Sequence, residues 1–139
     1  MFRAMTLFGS CRLKVLAKPA EAVNHASSAN AIAATGASAA DLSWKAGVDV
    51  MSFGTSKNGT LMAEAVVFFD MALAADFSRR RLRAGQTMAK GRYLGVQIDA
   101  YLADDLWLAN ARHANRLARR LADGLSRHSA IRIPYPVEA

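Results

Sequence analysis

The 139 residues amount to one domain's worth of chain, and 53% hydrophobic against 21% charged residues is the balance of a globular protein with a core. No apolar stretch is long enough to cross a bilayer as a helix, so membrane insertion is not expected. The lone Cys11 rules out an internal disulfide, and three histidines without a Cys/His cluster argue against a structural zinc site. The net charge of +7 is unevenly spread: between Arg79 and Arg132, twelve Lys or Arg residues stand against four acids. They form the run Arg79-Arg80-Arg81-Leu82-Arg83 and the helical set Arg112, Arg116, Arg119 and Arg120. Such a patch attracts phosphates through counterion release, but no nucleic-acid motif or aromatic stacking platform accompanies it. Solvated helix faces, or a surface meeting an acidic partner, are therefore expected ahead of nucleic-acid binding.

In chain order, residues 1 to about 20 are basic, with no acid before Glu21. That composition suits an organelle presequence better than a secretion signal, and a non-native start best of all. Ala29 to Gly36 predicts a short helix stopped by glycine. Ser38 caps a further short helix running towards Trp44 and ended by Gly47. Val48 to Phe53, rich in β-formers and closed by Gly54, predicts a strand. Thr55-Ser56-Lys57-Asn58-Gly59 is a turn by composition, and the apolar run from Ala63 to Phe69 predicts a second, buried strand. After Asp70 the pattern turns helical, with segments near 71–84, 86–102 and 104–126. In the last of these, Leu106, Ala114, Leu117, Leu121 and Leu125 share one helical face, and the expectation is that this face meets a core. Ile131-Arg132-Ile133 reads as the start of a strand before Pro134. The order of elements predicts an α/β or α+β class.

Among residues able to carry chemistry, Lys57 stands out. A lysine on a turn between two apolar strands can reach into a cleft at a sheet edge, and partial burial favours the neutral amine that attacks aldehydes. The same placement also suits a solvated turn lysine, and composition alone does not separate the two. The remaining candidates have bland readings. His113, beside the leucine face, is expected to pack, and His25 and His128 lack partners for metal or triad work. Trp44 and Trp107 are expected to pack, and Asp104-Asp105 to cap a helix and offset its dipole.

The run Trp44-Lys45-Ala46-Gly47-Val48-Asp49-Val50-Met51-Ser52-Phe53-Gly54-Thr55-Ser56-Lys57-Asn58-Gly59 resembles the cofactor-lysine segment of low-specificity threonine aldolases, in the β-eliminating lyase group of fold-type-I pyridoxal-phosphate enzymes. The resemblance continues through Ala63 to Asp70, Arg83-Ala84-Gly85-Gln86 and Asp104 to Asn115, and covers roughly residues 29–139. It implies an α/β fragment of the fold-type-I large domain, with a few strands around the lysine turn and then long helices. Residues 29–139 would be that partial domain leading into the small domain, and residues 1–28 a divergent or non-native segment.

The resemblance further implies pyridoxal 5'-phosphate as cofactor, bound as a Schiff base to Lys57, the catalytic and cofactor-binding residue. The reaction implied is aldehyde-lyase cleavage of a β-hydroxy-α-amino acid, L-threonine or allo-threonine, to glycine and acetaldehyde. A cytoplasmic homo-oligomer is implied for the complete enzyme. Two family positions differ: Asn24 stands where an aspartate pairs with the pyridine nitrogen, and Ser27 where an arginine stands. The family's phosphate loop and stacking histidine lie further upstream than the 56 residues ahead of Lys57 reach. The chain is thus expected to be a truncated member, inactive or impaired alone. The alternative is a non-catalytic product whose basic helices bind an acidic partner or nucleic acid.

Overall fold

A mixed four-stranded sheet with helices packed along it organises the chain, as seen in a computed structural model that describes residues 4–6, 22–24 and 28–137. Cys11, His25 and Ser27 lie outside the described residues. The sheet order is β1 (Ala4–Thr6), β4 (Glu64–Phe68), β3 (Val50–Gly54), β2 (Ala22–Asn24). β3 and β4 pair antiparallel, with Val50 opposite Phe68 and Gly54 opposite Glu64. β1 runs antiparallel to β4, and β2 runs parallel to β3 with Asn24 opposite Ser52. The two strands expected around Lys57 are thus the central pair.

The helices are α1 (Ser28–Thr35), α2 (Met71–Ala74), α3 (Phe77–Arg83), α4 (Arg92–Leu102) and α5 (Leu106–Leu125). Gly36 ends α1 with φ of +72°. The helix expected after Ser38 is instead a series of tight turns and one turn of 3-10 helix at Trp44–Ala46. Its cause is local: Ser43 leaves helical geometry and its hydroxyl donates to the Ala39 carbonyl, 2.6 Å away, in competition with the backbone ladder. Ser38 does serve as a cap, exchanging hydrogen bonds with Asp41, whose carboxylate also pairs with Lys45 at 2.9 Å.

The segment expected as one helix over 71–84 is two. Asp70 caps α2 by accepting from the Ala72 amide, and α3 starts at Asp76, whose carboxylate takes Arg79 and Arg80 from the turn ahead. The second helix begins at Arg92 rather than residue 86. Gly85 (φ +68°) closes α3 with paired bonds, Gly85 N to Leu82 O and Gln86 N to Arg81 O, the Schellman arrangement that turns a chain out of its helix. Ile131 to Ile133 is not a strand: no partner strand pairs with it among the described residues.

The core gathers where β3 and β4 meet α4 and α5. Phe53, Ala63, Ala65, Ile98 and Tyr101 are buried together, with Met51, Val67 and Trp107 packed around them. The Phe53 ring lies 6.1 Å from that of Tyr101 and 6.3 Å from that of Trp107, the second edge-on. Tilted and edge-on aromatic contacts of this kind add to the benefit of burial itself.

The face of α5 that packs is not the leucine face. Ala111 and Asn115 are buried and Ala114 and Ala118 half-buried on the side that meets α1. Small residues there let the two helices approach, and Asn30 and Asn115 lock them together: Asn30 Nδ2 donates to Asn115 Oδ1, and Asn115 Nδ2 to the Asn30 carbonyl, each at 3.0 Å. Leu106, Leu117 and Leu121 face outward, the last two 50% and 64% exposed. His113 is exposed with them rather than packed, its Nδ1 3.4 Å from Arg116. Trp44 is also about half exposed, with Lys45 over its ring, whereas Trp107 packs as expected.

Candidate active site

Lys57 occupies the middle of a single 3-10 turn, Ser56–Asn58, that follows the end of β3. Its side chain is exposed, the solvated alternative of the two placements that its turn allows. The buried groups of the described chain lie at the base of the turn, Thr55 among them.

The base of the turn is tightly held. Thr55 is fully buried, and its hydroxyl donates to the Ala63 carbonyl and shares a 2.7 Å hydrogen bond with Thr60. The Thr55 carbonyl accepts from the Asn58 and Thr60 amides. Ser56 donates its hydroxyl to Glu64 Oε1 on β4, 2.9 Å away. On the other side of the lysine, Asn58 Nδ2 donates both to the Tyr101 hydroxyl and to the Trp107 carbonyl, the latter at 2.9 Å. Asn110 Nδ2 donates to the Asn58 carbonyl at 2.9 Å. Gly59 closes the turn with φ of +125°, and a Cβ there would sit 2.6 Å from Asn110 Nδ2.

Two helices therefore converge on one loop, and the junction between them is what allows it. Asp104 and Asp105 both have left-handed backbone, φ +50° and +54°, which turns the chain sharply from α4 into α5. Neither forms the side-chain cap expected of them. Aspartate is among the few non-glycine residues that tolerate this region. Tyr101 comes from one side of the junction, Trp107 and Asn110 from the other. Burial pushes the Tyr101 hydroxyl pKa up, against the lowering effect of its hydrogen bond with Asn58.

Of the residues that sequence reasoning associates with the cofactor, Asn24 lies on β2 opposite Ser52 of β3, and Lys57 on the turn that follows β3. Tyr101, Asn110 and Thr55 had no such signal, because their importance lies in contacts across the chain. No cluster of three or more metal-ligating side chains occurs among the described residues. Two surface concavities, one lined by Asp76, Arg79, Arg80 and Arg83 and another by Arg119, Asp123 and Pro136, do not include Lys57. Nor is any described helix long and apolar enough to span a membrane.

The described chain is similar in structure to the threonine aldolase of Leishmania major, with a TM-score of 0.73 and 27% identity over 83% of this chain and 33% of that one. The described chain thus has the α/β fold of part of a threonine aldolase, a fold-type-I structure. It is also 48% identical over 110 residues to the low-specificity L-threonine aldolase of Pseudomonas aeruginosa, and 42% identical over 110 residues to that of Pseudomonas sp. strain NCIMB 10558. Each match takes in 79% of this chain and 32% of the relative. The chain is a homologue of the low-specificity L-threonine aldolases that spans about a third of their length. No family model matches it.

Proposed function

We propose that the chain carries the cofactor-lysine part of a pyridoxal-phosphate-dependent aldehyde-lyase, with Lys57 as the residue that binds the cofactor and takes part in catalysis. The observation that carries this reading is an exposed lysine whose neighbours on both sides are held by side-chain hydrogen bonds, Ser56 to Glu64 and Asn58 to Tyr101, in a chain similar to threonine aldolases. The reaction proposed is cleavage of L-threonine or L-allo-threonine to glycine and acetaldehyde.

The described residues fit the cofactor in one respect only. Lys57 Nζ is accessible for a covalent link to an aldehyde, and it makes no hydrogen bond or ion pair among the described residues. Asn24 lacks the negative charge that holds a protonated pyridine nitrogen. When bound, pyridoxal phosphate supplies an electron sink for the charge left as a Cα–Cβ bond breaks. Lys57 would hold the cofactor through Nζ, the exposed amine at the middle of the turn. The stiff base of the turn keeps that amine within reach, which is the larger part of what a protein adds to such chemistry.

Residues 29–139 are, on this reading, a partial large domain leading towards a small domain, and residues 1–28 a divergent segment. A cytoplasmic location and self-association in the complete enzyme go with it, the exposed leucines of α5 supporting the latter. With Asn24 and Ser27 at two family positions, the chain alone is expected to turn over threonine slowly or not at all. The test is a visible absorbance titration of the purified chain with pyridoxal phosphate. Lys57 binding predicts a saturable new band that Lys57→Ala abolishes; an identical band in both proteins would remove Lys57 from the role.

A further inference from the structure

The geometry points to Asn58, with Tyr101 and Asn110 behind it, as a positioning device for the Lys57 amine. The inference rests on the reading of Lys57 as the cofactor lysine and adds the residues that aim it. A solvated turn lysine needs no long-range support, yet the residue that follows Lys57 is tied down three times. Its side-chain amide donates to Tyr101 Oη and to the Trp107 carbonyl, and its own carbonyl accepts from Asn110 Nδ2. These partners lie 43, 49 and 52 residues further along the chain.

Each tie is made from groups that are costly to bury. Tyr101 is only 3% exposed, so its hydroxyl needs a partner, and Asn58 is that partner. Asn110 reaches the Asn58 carbonyl over a residue where any Cβ would collide with it, so Gly59 and Asn110 define each other's position. The two left-handed aspartates, Asp104 and Asp105, hold α4 and α5 at the angle that brings Tyr101, Trp107 and Asn110 to one point. Backbone strain concentrated behind a reactive side chain is a frequent companion of pre-organised sites. Ser56, tied to Glu64, fixes the other flank. Lys57 is left as the one exposed side chain between two anchored residues on a turn with little freedom to rotate.

None of Asn58, Tyr101 or Asn110 touches the reacting atoms on this account; they act through the backbone of the turn. The test is competitive modification of the intact chain with pyridoxal phosphate and borohydride, reading Lys57 against Lys45 and Lys90 by peptide mass. Wild type, Tyr101→Phe, Asn58→Ala, Asn110→Ala and Asn30→Ala are compared, with circular dichroism confirming that each is folded. Tyr101→Phe keeps the ring in the aromatic cluster and removes only the hydroxyl, so it remains informative if Asn58→Ala fails to fold. Asn30→Ala removes one of the two hydrogen bonds between α1 and α5 and controls for simple loss of stability.

The expected result is a fall on the order of tenfold in the Lys57 to Lys45 ratio for the three turn variants, and no change for Asn30→Ala. Folded turn variants with the wild-type ratio would overturn the positioning role while leaving Lys57 as the cofactor lysine. An equal fall in Asn30→Ala would reduce the effect to stability and overturn it as well. A wild-type chain without any Lys57 preference would overturn both this inference and the functional reading beneath it.

Discussion

Around Lys57, small differences in side-chain size decide whether the turn can exist. Gly59 has to be glycine on two counts, a positive φ and a neighbour only 2.6 Å from where a Cβ would stand. Gly59→Ala is accordingly expected to cost about 1–3 kcal/mol, from backbone strain and the displacement of Asn110. Urea unfolding of the two proteins measures it, and an unchanged midpoint would mean that the turn is not held as described. The place of Lys57 on a turn between two strands was legible in the sequence, from the apolar runs and glycines on either side. Tyr101, Asn58 and Asn110 were not legible as a unit: hydrogen bonds that span 43 to 52 residues leave no trace in local composition.

At the scale of elements, the central strands β3 and β4 were readable from alternation and glycine punctuation, while β1, β2, the break at Asp76 and the late start of α4 were not. The break at Asp76 goes with two arginines sharing its carboxylate, Arg79 on one oxygen and Arg80 on the other, and the late start of α4 with a Schellman closure at Gly85. The connection between α1 and β3 gives an element-scale expectation. Hydrogen bonds from the Ser38 hydroxyl, then from Lys45, lower the Asp41 pKa from 3.8 to about 2. A depressed folded-state pKa means that the cap's contribution is whole above 3.8 and is lost as pH falls through about 2. Asp41→Asn should therefore lower the melting temperature at neutral pH, with the difference closing as pH is taken from 4 to 2. A difference independent of pH would show that the charged form of Asp41 contributes nothing. The magnitude is small, since the pair is exposed.

Periodicity found the apolar stripe of α5 but assigned it the wrong neighbour. The helix buries its alanine and asparagine side against α1 and leaves Leu106, Leu117 and Leu121 in solvent. A hydrophobic pattern states which residues avoid water, and only the packed molecule states which of them succeed. Across the whole molecule this uncovered face is expected to drive association. Sedimentation of the purified chain should show mass rising with concentration, and Leu117→Glu with Leu121→Glu should suppress it; a wild-type monomer at all concentrations would contradict the expectation.

The central claim is that Lys57, exposed on a clamped turn, is the lysine that binds pyridoxal phosphate. Borohydride reduction of the chain with the cofactor, followed by peptide mapping, tests it most directly. A single reduced adduct on Lys57 at low cofactor concentration is the expected result. Adducts spread over Lys45, Lys57 and Lys90 in proportion to their exposure would contradict it.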